Sequence, residues 1–168
     1  MPMSEYMRQV RNAVGSVLLE VPSTSVVVRD EAGRVLLARH SEGNVWVTPG
    51  GAIEPLEAPA DAAVREVWEE TGLHVELTRL LGAYGGPEFV VTYGNGDRTS
   101  YLMVVFEGKV LGGRQRPDGD EILEVRWFEE RELDDLDLSD WMREVLSGAF
   151  AGKRDAGFRP AVWGPSEA

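Results

Sequence analysis

With 168 residues, 43% of them apolar and 27% charged, the chain has the makeup of one soluble globular domain, long enough to bury a core. A net charge of −12 excludes a long nucleic acid or an anionic membrane as partner, and leaves a small anion only if a cation bridges carboxylate and ligand. The absence of cysteine rules out disulfides, thiolate metal sites and thiol nucleophiles, and the two histidines, His40 and His74, are too few for a histidine metal site or triad.

In chain order, residues 4–14 carry a weak helical pattern. Arg8 and Arg11 ahead of the apolar run AVGSVLL imitate a signal peptide, but Glu5 interrupts the basic region and Glu20 closes a short run, so a cytoplasmic location is expected. No apolar run reaches the length of a membrane span. TSVVVRD and RVLLARH, joined by EAG, predict a β-hairpin turning at Gly33, and NVWVTPGG a short strand that breaks into a Pro-Gly-Gly loop. Residues 58–71 predict a helix with Pro59 in its first turn and Gly72 at a left-handed stop. LHVELTRLLGAYG, EFVVTY and TSYLMVVFEGKV follow as strands, the last two joined by the turn GNGD. EILEVRWF is a further strand, and DLSDWMREVLSGAF a C-terminal helix capped by Ser139.

The expected division is a partly helical N-terminal extension over 1–22, one domain over 23–150, and an irregular Gly- and Pro-rich tail over 151–168. Phe158 and Trp163 are the tail's candidate staples to the body or a partner. Strands in antiparallel and mixed connection with two helices predict an α+β sandwich. With no GxGxxG and no βαβ alternation, a dinucleotide-binding Rossmann domain is disfavoured.

On a helix advancing about 100° per residue, Ala60, Ala63, Val64, Val67 and Thr71 share a stripe expected to face the core. Glu66, Glu69 and Glu70 gather on another side, where like charges repel by roughly a few tenths of a kcal/mol per pair. They also crowd the helix C-terminus, where the macrodipole disfavours negative charge. A solvated acidic face explains such a cluster. So does a divalent cation, since carboxylate oxygens are the ligands magnesium prefers. Spacing inside the helix leaves both readings open.

The wider spacing does not. Gly51, five residues, Glu57, seven residues and then Arg65-Glu66-Val67-Trp68-Glu69-Glu70-Thr71-Gly72-Leu73 match every specified position of the signature box of the Nudix hydrolases. Average residue frequencies put a chance match on the order of one in ten million or less. GRVLLARH with VWVTPGGAIEP resembles the strand and loop before the box, and EVRWFEERELDDL the late strand and short helix after it. The likeness covers roughly residues 23–148, with two departures: Leu56 stands where glycine is common, and Ala58 where Ser or Thr often caps the helix.

The resemblance implies a Nudix-type α/β/α sandwich with a mixed and antiparallel sheet. It implies metal-dependent hydrolysis of a nucleoside diphosphate linked to another group, using magnesium, with manganese as substitute. Carried over, Gly51, Glu66, Glu69 and Glu70 hold metal, and Glu66, Glu69 and Arg65 form the catalytic set, with Arg65 orienting a glutamate and Glu57 supporting the loop. Glu66, Glu69, Glu121 and Glu124 remain alternatives for the general base. Arg39 is a candidate for substrate phosphate, and Trp46, Tyr84 and Phe89 for stacking a base; Trp68, at a variable position of the box, reads as packing. Pro87, 14 positions past Leu73, lies near a proline associated in this family with ADP-ribose hydrolysis, so an ADP-ribose-like substrate is expected. The alternatives are a MutT-type pyrophosphohydrolase of oxidised nucleoside triphosphates and, from another class, an inactive nucleotide-binding regulator. A homodimer is implied by the family's ADP-ribose enzymes alone.

Overall fold

A computed structural model describes residues 4–162 of the chain; Trp163 lies outside the described residues. Ser4 caps the helix α1 (Glu5–Val14) through its side chain, which accepts the Met7 N–H at 3.2 Å. β1 (Leu19–Arg29) then turns at Gly33, in the left-handed region with φ 81°, into β2 (Val35–His40). Short strands β3 (Trp46–Val47) and β4 (Gly50–Ala52) lead to α2 (Pro59–Thr71). Pro59 opens α2, and Gly72, left-handed at φ 68°, closes it as expected.

After α2 come β5 (Leu73–Tyr84), a 3-10 turn (Pro87–Phe89), β6 (Val90–Thr92), β7 (Arg98–Gly113) and β8 (Ile122–Phe128). A second 3-10 turn (Glu130–Asp135) precedes α3 (Asp140–Phe150). Ser139 holds the N-cap position of α3, but its side chain makes no capping bond, contrary to expectation.

Two long-range pairings organise the sheet. β1 and β7 run parallel from Leu19↔Thr99 to Arg29↔Lys109, while β5 lies antiparallel along the other side of β7. The path β3-β2-β1-β7-β5 is joined by β4 on β1, β6 on β7 and β8 on β2, so parallel and antiparallel pairs mix as expected. Alternation along the strands divides the core. Val27, Val35, Leu37 and Val105 pack toward Met142, Val145 and Leu146 of α3. Val26, Val28 and Leu36 pack toward Ala63 and Val67 of α2. The helices therefore cover opposite faces, giving the α/β/α sandwich.

The face of α2 is rotated from the expected one. Ala62, Ala63, Val67 and Thr71 are buried, whereas Ala60 is exposed. Trp68, expected to pack, is 48% exposed. The stripe shifts because Glu66 and Glu70 also turn inward, at 7% and 4% exposure. A helix on a sheet buries the side its neighbours accept, and here part of that side is charged.

Candidate active site

The floor of the site is β1. Ser23, Thr24 and Ser25 are buried there and pair across to Ala52, Gly51 and Gly50 of β4. Their hydroxyls are engaged: Thr24 Oγ1 donates to Val104 O at 3.2 Å, and Ser25 Oγ lies 2.5 Å from Thr48 Oγ1. The glycine pair is a matter of space. A Cβ on Gly50 would fall 2.2 Å from Thr24 O, and one on Gly51 would fall 2.6 Å from the Glu66 carboxyl carbon. The loop can lie between β1 and α2 only without side chains, which brings its backbone against the carboxylates.

Arg65 gathers the rest. Its Nε donates to Glu57 Oε1 at 2.8 Å and its Nη2 to Glu57 Oε2 at 2.8 Å and Ala52 O at 3.1 Å. Nη1 donates to Glu66 Oε1 at 2.6 Å and Glu69 Oε2 at 3.0 Å. A guanidinium has five N–H donors, and all are used within the protein. Arg65 therefore orients the glutamates, and no donor is left over for a substrate. Glu57 Oε2 also accepts the Glu54 N–H at 3.0 Å, closing the loop ahead of α2. Beside Arg65 the Glu57 carboxyl is held below its ordinary pKa. Hydrogen bonds from Arg65 to Glu57, and then to Glu66, keep the guanidinium charged.

Glu66 and Glu70 behave oppositely to Glu57. Burial raises the pKa of Glu66 even though Arg65 pulls it down, and the neighbouring Glu69 and Glu57 charges add to the rise. Glu70 is raised well above its ordinary value, first by burial and then by the Glu66 charge, against one opposing bond from the Gly50 N–H at 3.2 Å. Glu69 sits at the rim, its side chain 35% exposed.

Among the described residues no three His, Asp or Glu side chains close a ready-made metal cage. This agrees with the donor set. Magnesium keeps several waters and is held through one or two carboxylates together with substrate phosphates, not by an all-protein cage. Two buried carboxylates with raised proton affinity, a third at the rim and an adjoining glycine backbone suit such a partial shell.

Other candidates fall elsewhere. Arg39 is already engaged by Glu124, its partner across β2 and β8, at 3.2 Å and by Asn44 Oδ1 at 2.8 Å. Trp46 is half-buried and packs edge-on against Phe128 at 4.8 Å between centroids. Phe89, expected to stack a base, is 3% exposed and packs between Tyr84 and Trp141; it is core, because the turn at Pro87 folds it under α3. Tyr84, 7% exposed, belongs to the same cluster. His40 Nε2 lies 3.0 Å from Glu121 Oε1 while its Nδ1 accepts the Glu42 N–H at 3.1 Å, and His74 is exposed.

One neighbour of the site was missed by the sequence reading. Asp118 accepts the N–H groups of Asp120, Glu121 and Ile122 at 2.9, 3.1 and 2.9 Å, and its charge helps raise Glu70. The loop that carries it is tied to the end of α2, with the Arg114 and Arg116 N–H groups donating to Gly72 O and Thr71 O at 3.1 and 2.8 Å. The run PDGD signals a turn and nothing more. Only the return of this loop to the end of α2 lets the Asp118 charge act on Glu70.

The NUDIX domain family model matches residues 19–148 of the chain. The chain belongs to the Nudix hydrolase family. A MutT-like protein of Streptomyces ambofaciens is 34% identical over 142 residues, spanning 84% of this chain and 81% of the relative. A putative 8-oxo-dGTP diphosphatase of Bacillus subtilis is 33% identical over 102 residues, 61% of this chain and 62% of the relative. Among solved structures, an ADP-ribose pyrophosphatase of Streptococcus suis superposes with TM-score 0.61 at 24% identity, covering 83% of this chain and 96% of its own; that likeness is one of fold. The Nudix chain thus carries the family's box on the sandwich expected from it.

Proposed function

We propose that this Nudix hydrolase is a pyrophosphohydrolase that cleaves the diphosphate linkage of a small nucleoside diphosphate derivative with magnesium, manganese serving as substitute. The observation that carries the reading is the burial of Glu66 and Glu70 side by side against a glycine backbone, with Glu69 at the rim. Such a pair is costly as bare anions and has use as a partial shell for a cation. Glu66, Glu69, Glu70 and the Gly51 carbonyl would hold it. Bound there, the metal supplies neutralisation of phosphate charge and a water of lowered pKa. The rest is done by the chain. Arg65 fixes the orientation of Glu66 and Glu69, Glu57 anchors Arg65, and Gly50 fixes one oxygen of Glu70. The general base is drawn from Glu66, Glu69, Glu121 and Glu124, of which Glu124 is paired with Arg39.

An ADP-ribose-like substrate is the first reading, resting on Pro87 in the turn that follows β5. A MutT-type reaction on nucleoside triphosphates is the second, favoured by the names of the two relatives at 33–34% identity. We place the activity in the cytoplasm. The test is phosphate or nucleotide release from ADP-ribose, dNTPs, oxidised dGTP and dinucleoside polyphosphates, with magnesium and with chelator. Turnover of triphosphates without ADP-ribose selects the second reading. Nucleotide binding with no turnover of any of them means an inactive regulator and overturns both.

A further inference from the structure

The proposed function sets a diphosphate beside Glu66 and Glu70 at the glycine backbone of β4. Since α2 covers one face of the sheet, the group beyond that diphosphate has the α3 side to rest on. Ala52, Ser23, Met103 and Tyr84 pair in succession across β4, β1, β7 and β5. Three strand spacings set Tyr84 about 14 Å from the box loop, a distance that a nucleoside extended from its diphosphate can span. Along this side Met103, Trp46 and Trp141 are only half-buried around the core. Just past Tyr84 the row ends at the turn Pro87–Phe89, where Phe89 packs against Trp141 while Pro87 and Glu88 are exposed.

The link from β5 to this turn is permissive. Gly85 and Gly86 form it, Gly86 has φ 120°, and no side chain caps the turn. A second hold comes from the tail, which turns back after α3 and meets β5 and the turn at three successive points. Arg79 Nη1 donates to Lys153 O. Gly157 then bridges Gly82 in parallel, its N–H donating to Leu81 O at 2.6 Å and its carbonyl accepting the Ala83 N–H at 3.2 Å. Finally Arg159 pairs with Glu88 of the turn itself. The middle contact tolerates only glycine on both sides. A Cβ on Gly82 would lie 2.4 Å from Gly157 O, and one on Gly157 would lie 2.5 Å from the Tyr84 hydroxyl oxygen. The aromatic staple expected at Phe158 is not used, since that ring is 77% exposed.

We propose, on that placement of the diphosphate, that residues 153–159 are a strap that positions the far wall of the substrate cleft. Gly157 seats the strap on β5, and Arg159 holds the Pro87–Phe89 turn against which the group beyond the diphosphate rests. Neither residue touches the reacting atoms. Both act through the turn, so they set how tightly a substrate binds and leave the chemical step alone.

The test uses the full chain with Gly157→Val, which cannot seat beside Tyr84, with Arg159→Glu, and with Phe158→Ala as control. Steady-state kcat and KM for ADP-ribose are read together with amide exchange at Phe89, whose N–H donates to Gly86 O at 3.0 Å. Gly157→Val should raise KM at least about tenfold and Arg159→Glu about threefold, both with kcat unchanged and with faster exchange at Phe89. Adding Glu88→Arg to Arg159→Glu re-forms the pair and should return KM to the wild-type value. Phe158→Ala should match the wild type throughout. Faster exchange with unchanged KM overturns the proposal, because the strap would then hold a turn that the substrate does not meet. Unchanged exchange, or a charge swap that fails to restore KM, overturns it as well. If Gly157→Val fails to fold, Arg159→Glu and the swap decide. Turnover of triphosphates alone by the wild type defeats the ADP-ribose reading, and the same variants are then read on the triphosphate KM. With no turnover of either, the dissociation constant of ADP-ribose takes the place of KM.

Discussion

Arg65 and Arg11 are both drawn into the protein and both spend at least four N–H donors on it, yet their acceptors differ in kind. Four of the five bonds of Arg65 go to carboxylates, those of Glu57, Glu66 and Glu69. Arg11, 8% exposed, donates to the carbonyls of Gly15, Val17 and Arg98 and to Thr99 Oγ1, with Asp97 further off at 3.7 Å. The first arginine holds anions together, and the second staples α1 to the start of β7. A buried cation marks a site when what it binds is itself charged and would otherwise repel. When it binds neutral carbonyls it is a piece of the frame.

The sharpest way to break this contrast is to remove a charge that Arg65 does not neutralise. Glu70→Gln keeps an oxygen for the Gly50 N–H but removes a buried anion, so kcat/KM should fall at least about a hundredfold while metal-free stability rises. Unchanged turnover in a steady-state assay would sink the metal-site reading. Next, Arg65→Ala should do double damage, lowering kcat/KM by about 10- to 100-fold and stability by about 3 kcal/mol in denaturant titration. Arg65→Lys should recover little of either, because an ammonium cannot fill five fixed acceptors.

Arg11→Ala is the counterpart. It should cost about 2 kcal/mol of stability and leave kcat and KM where they were. A shift in KM would show that α1 belongs to the site after all. Smaller again is Leu56→Gly. Leu56 holds a left-handed backbone at φ 68° and is fully exposed at 107%, so glycine should gain about 1 kcal/mol in a thermal melt.

The smallest effect is a slope with pH. Glu66 and Glu70 have raised pKa values in the folded chain, so their contribution is fully present below the ordinary value of 4.5 and is lost as pH rises through the folded values. Glu57 and His40 are lowered, and their contributions are lost as pH falls. The difference between wild type and Glu70→Gln cancels those two. Metal-free wild type should therefore lose stability relative to the variant as pH rises above 4.5, and saturating magnesium should abolish the loss. Melting curves with chelator and with magnesium check it.

Much of this was legible from residue types. The helix over 59–71 announced its own ends through Pro59 and Gly72, because both act within a turn of where they stand. The Leu56 departure was legible too: glycine is common at that position of the box, and the backbone there is left-handed. What failed were statements about faces and partners. Helical angle alone sets Ala60 on the buried stripe and counts no charges that turn inward, and Trp68, read as packing from its variable position in the box, is exposed. Arg39 and Phe89 looked free for a ligand until the pairing of β2 with β8 and the fold of α3 supplied protein partners. Arg11 stands out in the sequence only as a basic residue of a weakly helical stretch ahead of an apolar run, because nothing near it tells of Arg98 and Thr99.

The sequence by itself determined the family: Gly51, Glu57 and the run from Arg65 to Leu73 match its box at every specified position, and the chemistry class is what that resemblance implies. The tertiary structure decided which of those carboxylates are buried, that the Asp118 charge acts on Glu70, and that the tail covers part of β5. Burial and long-range pairing depend on what lies across the sheet, and neighbours across a sheet are separated in sequence by distances no local pattern records. Ala83, Val104, Thr24 and Gly51 stand in one row of paired strands, though the chain visits them far apart.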